Sequence, residues 1–201
     1  MTRDYLTNLC FSITFLNLAL VGICSLEMDG SFVSLVRLGA VLCNIVMGIL
    51  LLGNRSATAD SSPLYRPYWL GMIVSNILVV KLVDESAGLV SIPSLIFVLG
   101  VLITLLSLLS LGASFAVTPM KSKIKTRWLY ALVRHPIYLG ESVMLLSCVC
   151  ACRSVISVVI FLLYLAITAL RIREEERLLC KTEEYRIYCQ NTPWRLLPYI
   201  W

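Results

Sequence analysis

Apolar residues fall in long runs along this chain, and short polar interruptions separate them. The runs are Leu9 to Leu26, Leu35 to Leu52, Tyr68 to Val83, Leu89 to Leu111 and Tyr138 to Leu170. A bilayer core of about 30 Å is crossed by about 20 apolar residues in a helix, so each of the first four runs predicts one spanning helix. Turn signals separate them: Met28-Asp29-Gly30-Ser31, Gly53-Asn54 and Asp84-Glu85-Ser86. Lys81 lies close enough to the end of the third run to snorkel, and Pro93 falls in the first turns of the fourth, where its missing amide costs little. The fifth run is too long for one crossing, because a straight helix rises about 1.5 Å per residue and would extend about 50 Å. It would also set Arg153 near mid-membrane, at a cost of about 2.5 to 3.5 kcal/mol. A reversal at Arg153-Ser154 makes the run a helical hairpin and returns the guanidinium to an interface.

The charges agree with that topology. With a hairpin, Arg55 and Arg66, then Lys121, Lys123, Lys125, Arg127 and Arg134, then Arg171, Arg173, Arg177, Lys181, Arg186 and Arg195 all fall on one side. The positive-inside rule makes that side cytosolic. Both termini share it, and the acidic turns Glu27 to Asp29 and Asp84-Glu85 face the other way. The predicted fold class is all-α: a polytopic integral membrane helix bundle with four spans in residues 1–111. Residues 112–201 add a polar loop, the hairpin and a cytosolic helical tail, and the whole is one integrated membrane domain. Met1 to Ser25 reads as a retained first span rather than a cleaved signal.

Composition strengthens the membrane reading and narrows the chemistry. The chain is 59% hydrophobic and 14% charged, with a mean hydropathy of +0.86, an apolar excess that one small soluble core cannot hide. Its net charge of +5 flanks the apolar runs, which suits an anionic bilayer surface and membrane lipids as partners; nothing reads as a nucleic-acid module. Of the eight cysteines, Cys10, Cys24, Cys43, Cys148, Cys150 and Cys152 lie inside apolar runs, while Cys180 and Cys189 follow them. That placement argues against a disulfide framework. Zinc wants four ligands at loop-like spacing and the chain has a single histidine, His135, so no metal is expected. Cys148, Cys150 and Cys152 read as small helix-packing residues.

Two polar stretches on the cytosolic side are richer in ionisable and aromatic groups than linkers need to be. The first holds Leu111-Gly112-Ala113-Ser114-Phe115, Pro119, Tyr130 and Val133-Arg134-His135-Pro136-Ile137-Tyr138-Leu139-Gly140. The second holds Arg171-Ile172-Arg173-Glu174-Glu175-Glu176-Arg177, then Glu183-Glu184-Tyr185, Tyr188 and Pro193-Trp194-Arg195-Leu196-Leu197-Pro198. Taken singly, each has a plain structural reading. Arg171 and Glu175 make an ordinary i,i+4 pair worth about 0.3 to 0.5 kcal/mol, and the glutamate run suits a solvated face. His135 before a proline suits a backbone role, and Tyr185, Tyr188, Trp194 and Trp201 suit interfacial anchoring.

Taken together and in this order, the strings resemble the isoprenylcysteine carboxyl methyltransferase family, within the wider group that includes phospholipid N-methyltransferases. The resemblance runs from Leu111 to Pro198 and centres on Arg-His-Pro-x-Tyr-x-Gly at Arg134 to Gly140. Glu175-Glu176 and the Tyr185, Tyr188 and Pro198 spacing support it. The short chain and the Leu-Gly-x-Ser-Phe approach look most like compact prokaryotic members. Trp128, where a small residue is usual, Ala113 in place of a common arginine and a shortened link from Leu179 to Glu183 depart from the pattern.

The resemblance implies S-adenosylmethionine as methyl donor, held from the cytosol without a Rossmann domain, and the chain indeed has no Gly-x-Gly-x-x-Gly cradle. It points to Arg134, His135, Pro136, Tyr138, Leu139, Gly140, Glu175 and Glu176 as the cofactor-binding set. In that set Arg134 and His135 would take the carboxylate, Glu175 or Glu176 the ammonium or ribose, and Tyr138 the adenine or the cation. Arg171 and Glu175 are the candidate catalytic residues, with Arg171, Tyr185 and Trp194 toward the acceptor. Carboxyl O-methylation of a lipid-linked or small hydrophobic acceptor is the leading expectation, since an ionised carboxylate needs no general base. A phospholipid amine or a thiol is the alternative acceptor, and a nicotinamide-dependent sterol-reductase-like enzyme or a non-enzymatic scaffold the alternative class.

Overall fold

A computed structural model describes residues 3–27, 29–53, 70–71, 73–75, 77–78, 81, 91–112, 126–152 and 154–201. Its helices are α1 (Arg3–Cys24), α2 (Phe32–Gly53), α3 (Ile92–Leu111), α4 (Pro136–Cys152), α5 (Val155–Leu179) and α6 (Glu183–Asn191), with a 3₁₀ turn at Trp128–Ala131. The described residues between 70 and 81 are also helical, in agreement with the third apolar run. No β-strand occurs among the described residues. Arg55, Arg66, Lys121, Lys123, Lys125, Arg153, Ala113 and Pro119 lie outside them.

Among the described residues three helices, α2, α3 and α5, are long and apolar enough to cross a membrane; the apolar part of α1, Asn8–Cys24, and α4 are shorter. Local chemistry sets the helix ends. Ser91 caps α3 by accepting from the Ser94 amide, and Pro93 sits in the first turn, the position where proline is tolerated. Gly112 follows the last turn with φ of 53° and donates its amide to the Leu108 carbonyl, the left-handed stop that glycine supplies. At the start of α2, Arg37 Nη1 reaches back 3.1 Å to the Ser25 carbonyl, toward the acidic turn.

Packing relies on small residues, as expected where lipid removes the hydrophobic drive between helices. The Ser12 hydroxyl donates to the Gly48 carbonyl at 2.7 Å and ties α1 to α2. Phe97 of α3 meets Phe32 of α2 edge-on at 6.0 Å, beside Gly39. The tightest crossing is α3 on α4: a Cβ on Gly140 would sit 2.8 Å from the Gly100 carbonyl oxygen, and one on Gly100 would sit 2.7 Å from the Met144 amide. The Thr104 hydroxyl turns inward there and donates to the Gly100 carbonyl at 3.0 Å.

The fifth apolar run does reverse where its length and charge require. Helix α4 ends at Cys152, Ser154 adopts the extended N-cap conformation, and α5 runs back. Contacts between the start of α4 and the end of α5 fix the antiparallel sense: Tyr138 with Glu175 and His135 with Glu176. One feature differs from the sequence expectation. The polar stretch from Arg171 is no separate segment but the last turns of α5, continuous with its apolar shaft, and the distinct tail helix starts only at Glu183. Helix propensity explains the continuity, because Arg, Glu and Leu are all strong formers and no glycine or proline interrupts them. One buried cluster joins Phe32, Val36, Phe97, Val101, Tyr138, Leu145, Tyr164, Ile172 and Leu196, so residues from both halves of the chain share a core.

Candidate active site

The site forms where the start of α4, the end of α5 and the carboxyl-terminal strap 192–201 converge. Pro136 is the first residue of α4, a position that suits its fixed φ and missing amide. A residue before proline is pushed away from helical geometry, so the backbone at Arg134 and His135 is available to other partners. Their amides donate to the carbonyls of Trp194 and Arg195, both at 2.9 Å. The strap is closed in turn by the amides of Arg195, Leu196 and Leu197, which converge on the Trp201 carbonyl at 2.9, 3.0 and 3.2 Å.

This backbone pairing delivers side chains from three segments to one carboxylate. Arg195 Nε donates to Glu176 Oε2 at 2.7 Å, while His135 Nε2 lies 3.2 Å and Arg134 Nε 2.9 Å from Oε1. The Arg134 contact is an ion pair without hydrogen-bond alignment. Glu176 and His135 are each only 6% exposed, so the attraction acts where water screens it little. Glu175, about 100° further round the helix, faces a different group: the Tyr138 hydroxyl donates to its Oε2 at 2.9 Å. The Tyr138 ring stacks on His135 at 5.7 Å and carries the Arg171 guanidinium 5.1 Å from its centroid, within cation–π range. Arg171 itself is 7% exposed.

Aromatic groups wall the far side. The Tyr188 hydroxyl donates to the Tyr130 carbonyl at 2.7 Å, and Tyr185 meets Tyr188 edge-on at 5.6 Å. Burial pushes the phenols of Tyr185 and Tyr130 well above the ordinary range, and the charge of Glu175 pushes the same way. Burial likewise raises Tyr188, against a lowering by Arg134. These hydroxyls therefore stay protonated at working pH and act as neutral hydrogen-bond partners.

The structure brings Arg134, His135, Tyr138, Arg171, Glu175, Glu176 and Tyr185 together. Four expected residues act through the backbone or through packing instead, among them Pro136, which opens α4. Trp194 meets the loop by its carbonyl, and its ring lies 5.3 Å from Tyr199. Leu139 is partly buried in the first turn of α4, and its amide donates to the His135 carbonyl at 3.2 Å. Gly140 turns its bare face to Gly100 and Thr104 of α3, so the close approach it permits is by a helix. Glu174 pairs at 3.1 Å with the exposed Arg177 one turn on but is itself largely buried, so it does not lie on the solvated face expected of the glutamate run. Trp128 has φ of 58° and is 74% exposed, a left-handed backbone that glycine adopts without strain and a bulky residue rarely does.

Two participants were not singled out from sequence. Arg195 lies in the Pro-Trp-Arg-Leu-Leu-Pro string, but only the strap's fold carries it to Glu176. Glu141 follows Gly140 in what reads as an apolar helix, and the Tyr164 hydroxyl of α5 donates to its Oε2 at 3.4 Å. An acid placed in an apolar helical run was the available signal. Among the described residues no group of three metal-ligating side chains occurs, and all eight cysteines are free.

The family model for the isoprenylcysteine carboxyl methyltransferase (ICMT) family matches residues 92–181, just under half of the chain. The match covers α3, α4 and α5 with the Arg-His-Pro string, and so reaches one helix further toward the amino terminus than the motifs alone. It stops short of α6 and the strap. Comparison with curated proteins returns no significant match. Over residues 92–181 the chain is similar to the isoprenylcysteine carboxyl methyltransferase family, whose members are S-adenosylmethionine-dependent methyltransferases, and its long apolar helices suit an integral membrane protein.

Proposed function

We propose that this enzyme methylates the carboxylate of a lipid-linked or small hydrophobic acceptor, with its site on the cytosolic side. When bound, S-adenosylmethionine would supply an electrophilic methyl group to an acceptor carboxylate oxygen, with a methyl ester and S-adenosylhomocysteine as the products. The donor set fits such a cofactor. Arg134 and Arg195 bring two positive charges to the single Glu176 carboxylate, which leaves the cluster net cationic and suited to the cofactor's carboxylate. Glu175, anchored by Tyr138, offers an anionic partner for the ammonium or a ribose hydroxyl. The Tyr138 ring presents a face for the adenine or the cation, and Pro136, Leu139 and Gly140 hold the first turn of α4 in place. Glu176 is the residue that keeps Arg134 and His135 aligned.

The observation that carries this reading is Tyr138, held between the Arg171 guanidinium and the Glu175 carboxylate across the α4–α5 pair. Arg171 lies one turn further into α5 than Glu175, which suits it to orient an acceptor carboxylate whose tail stays among the helices. The topology that delivers such an acceptor is four spans plus the hairpin, both termini cytosolic.

Calorimetry of the purified protein tests the assignment: S-adenosylhomocysteine should bind and NADPH should not, whereas binding of NADPH alone overturns it in favour of a reductase. Arg171→Ala should abolish turnover with little loss of S-adenosylhomocysteine binding. Turnover at the wild-type level would remove Arg171 from the reaction.

A further inference from the structure

Among the described residues two other than glycine take a left-handed backbone, Trp128 with φ of 58° and Tyr199 with φ of 66°. Both are large aromatics, for which that conformation is strained. Such strain persists only where something else offsets it, yet neither side chain is buried among the described residues, and Tyr199 is 86% exposed. Each has apolar company that is equally open: Leu132, which closes the 3₁₀ turn begun by Trp128, and Ile200, which follows Tyr199. Tyr185 and Tyr188, which suited interfacial anchoring by sequence, are buried instead.

Packing decides where this open surface lies. Gly140 meets Thr104 and Gly100 meets Met144, so α3 and α4 run antiparallel and the end of α3 lies by the start of α4. The 3₁₀ turn, which leads into α4, packs against α3. On α3 the exposed residues Leu95, Leu99, Leu102, Leu106 and Leu109 recur at helical spacing and make one apolar stripe, the face that a spanning helix turns to lipid. That stripe ends at the level of the turn. Arg127, also exposed, precedes Trp128, and cation beside aromatic is the pattern of a bilayer's headgroup layer. The strap comes to the same level, because the Trp194 and Arg195 carbonyls accept from the Arg134 and His135 amides, and the Tyr199 ring lies 5.3 Å from Trp194.

We propose that Trp128 and Tyr199, with Leu132 and Ile200, form a membrane-seating surface whose partner is the phospholipid headgroup layer of the protein's own bilayer. Contact with lipid offsets the strain that the chain alone leaves unbalanced. Both anchors adjoin the Arg134–Glu176 cluster, one through the turn, whose Leu129 carbonyl accepts from the Val133 amide, and the other through the strap. The bilayer thereby steadies the segment that carries Arg134 and His135, although neither anchor touches a bound molecule. The inference holds whichever acceptor is methylated.

The full chain in vesicles of phosphatidylcholine and phosphatidylglycerol tests it. Subtracting the emission of Trp128→Phe from that of the wild type isolates Trp128, and lipid brominated near the headgroup end of its chains should quench that difference signal. Absence of quenching overturns the proposal: quenching by aqueous iodide alone would place the ring in water, and quenching by neither would place it against protein, such as a second copy. Trp128→Gly suits the left-handed backbone, so any loss it causes comes from the missing ring and not from strain. In the same vesicles it should weaken S-adenosylhomocysteine binding about fivefold, as when the seated segment falls to about a fifth of the population. Trp128→Phe, which keeps a ring for the lipid, should restore most of that affinity. Wild-type affinity in Trp128→Gly overturns the hold on the Arg134 segment. If the wild type itself binds no S-adenosylhomocysteine, the methyltransferase reading falls, while the quenching result still decides the seating surface.

Discussion

Glu176 gathers two arginines and a histidine from segments far apart in sequence, and all but the partly exposed Arg195 are buried. Breaking a buried pair by removing one partner costs about 3 to 5 kcal/mol. Glu176→Ala should therefore lower stability by about that amount in denaturant unfolding of the solubilised enzyme, and S-adenosylhomocysteine binding should weaken with it. Glu175→Ala should lose binding with a smaller stability change, since Glu175 accepts one hydrogen bond from Tyr138, worth about 1.5 to 3 kcal/mol at a charged acceptor. Most of this residue set was legible in the linear motifs, because Arg134, His135, Tyr138 and the paired glutamates sit in two short strings. Which glutamate faces which partner was not, since adjacent helical residues point about 100° apart and the phase is set only by packing. Arg195 escaped for a different reason: its role depends on the strap folding back onto His135.

At the scale of elements, the crossing of α3 and α4 is the least tolerant part of the fold. A methyl group on Gly140 or Gly100 meets backbone atoms of the other helix at 2.7 to 2.9 Å, and backbone cannot move aside as a side chain end can. Overpacking of this kind costs about 1 to 3 kcal/mol. Gly140→Ala should accordingly lower the unfolding midpoint, whereas Gly53→Ala, with nothing within 4 Å of its added Cβ, should leave it unchanged within about 0.5 kcal/mol. The helices themselves were legible as apolar runs with glycine, proline and serine at their ends, and the reversal near Ser154 as the only way to fit a run too long for one crossing. The unbroken passage of α5 from apolar shaft into glutamate-rich end was not, because a change from apolar to charged composition looks like a boundary although helix propensity continues through it.

For the whole molecule, the start of α4 meets the end of α5, and the proposed topology puts both in one aqueous compartment. Single cysteines on a cysteine-free background test it in sealed vesicles of known orientation. Glu184→Cys should react with an impermeant maleimide from the cytosolic side and Asp29→Cys from the opposite side; the reverse pattern, or both from one side, would contradict the proposed topology. The membrane class was legible from composition, and the family resemblance from order and spacing of the polar strings, while a group such as Glu141, set among apolar residues of α4, carries no motif. The continuity of α5 has a mechanical consequence. Arg171 lies 16 residues along a stiff rod from its Ser154 end, about 24 Å at the α-helical rise. A tilt of that rod by about 5°, of the kind helices adopt to match bilayer thickness, swings Arg171 by about 2 Å. A displacement of about 1 Å at a reacting centre can cost about a hundredfold in rate, so if Arg171 has the role proposed, turnover in vesicles should vary with the hydrocarbon thickness of the lipid used.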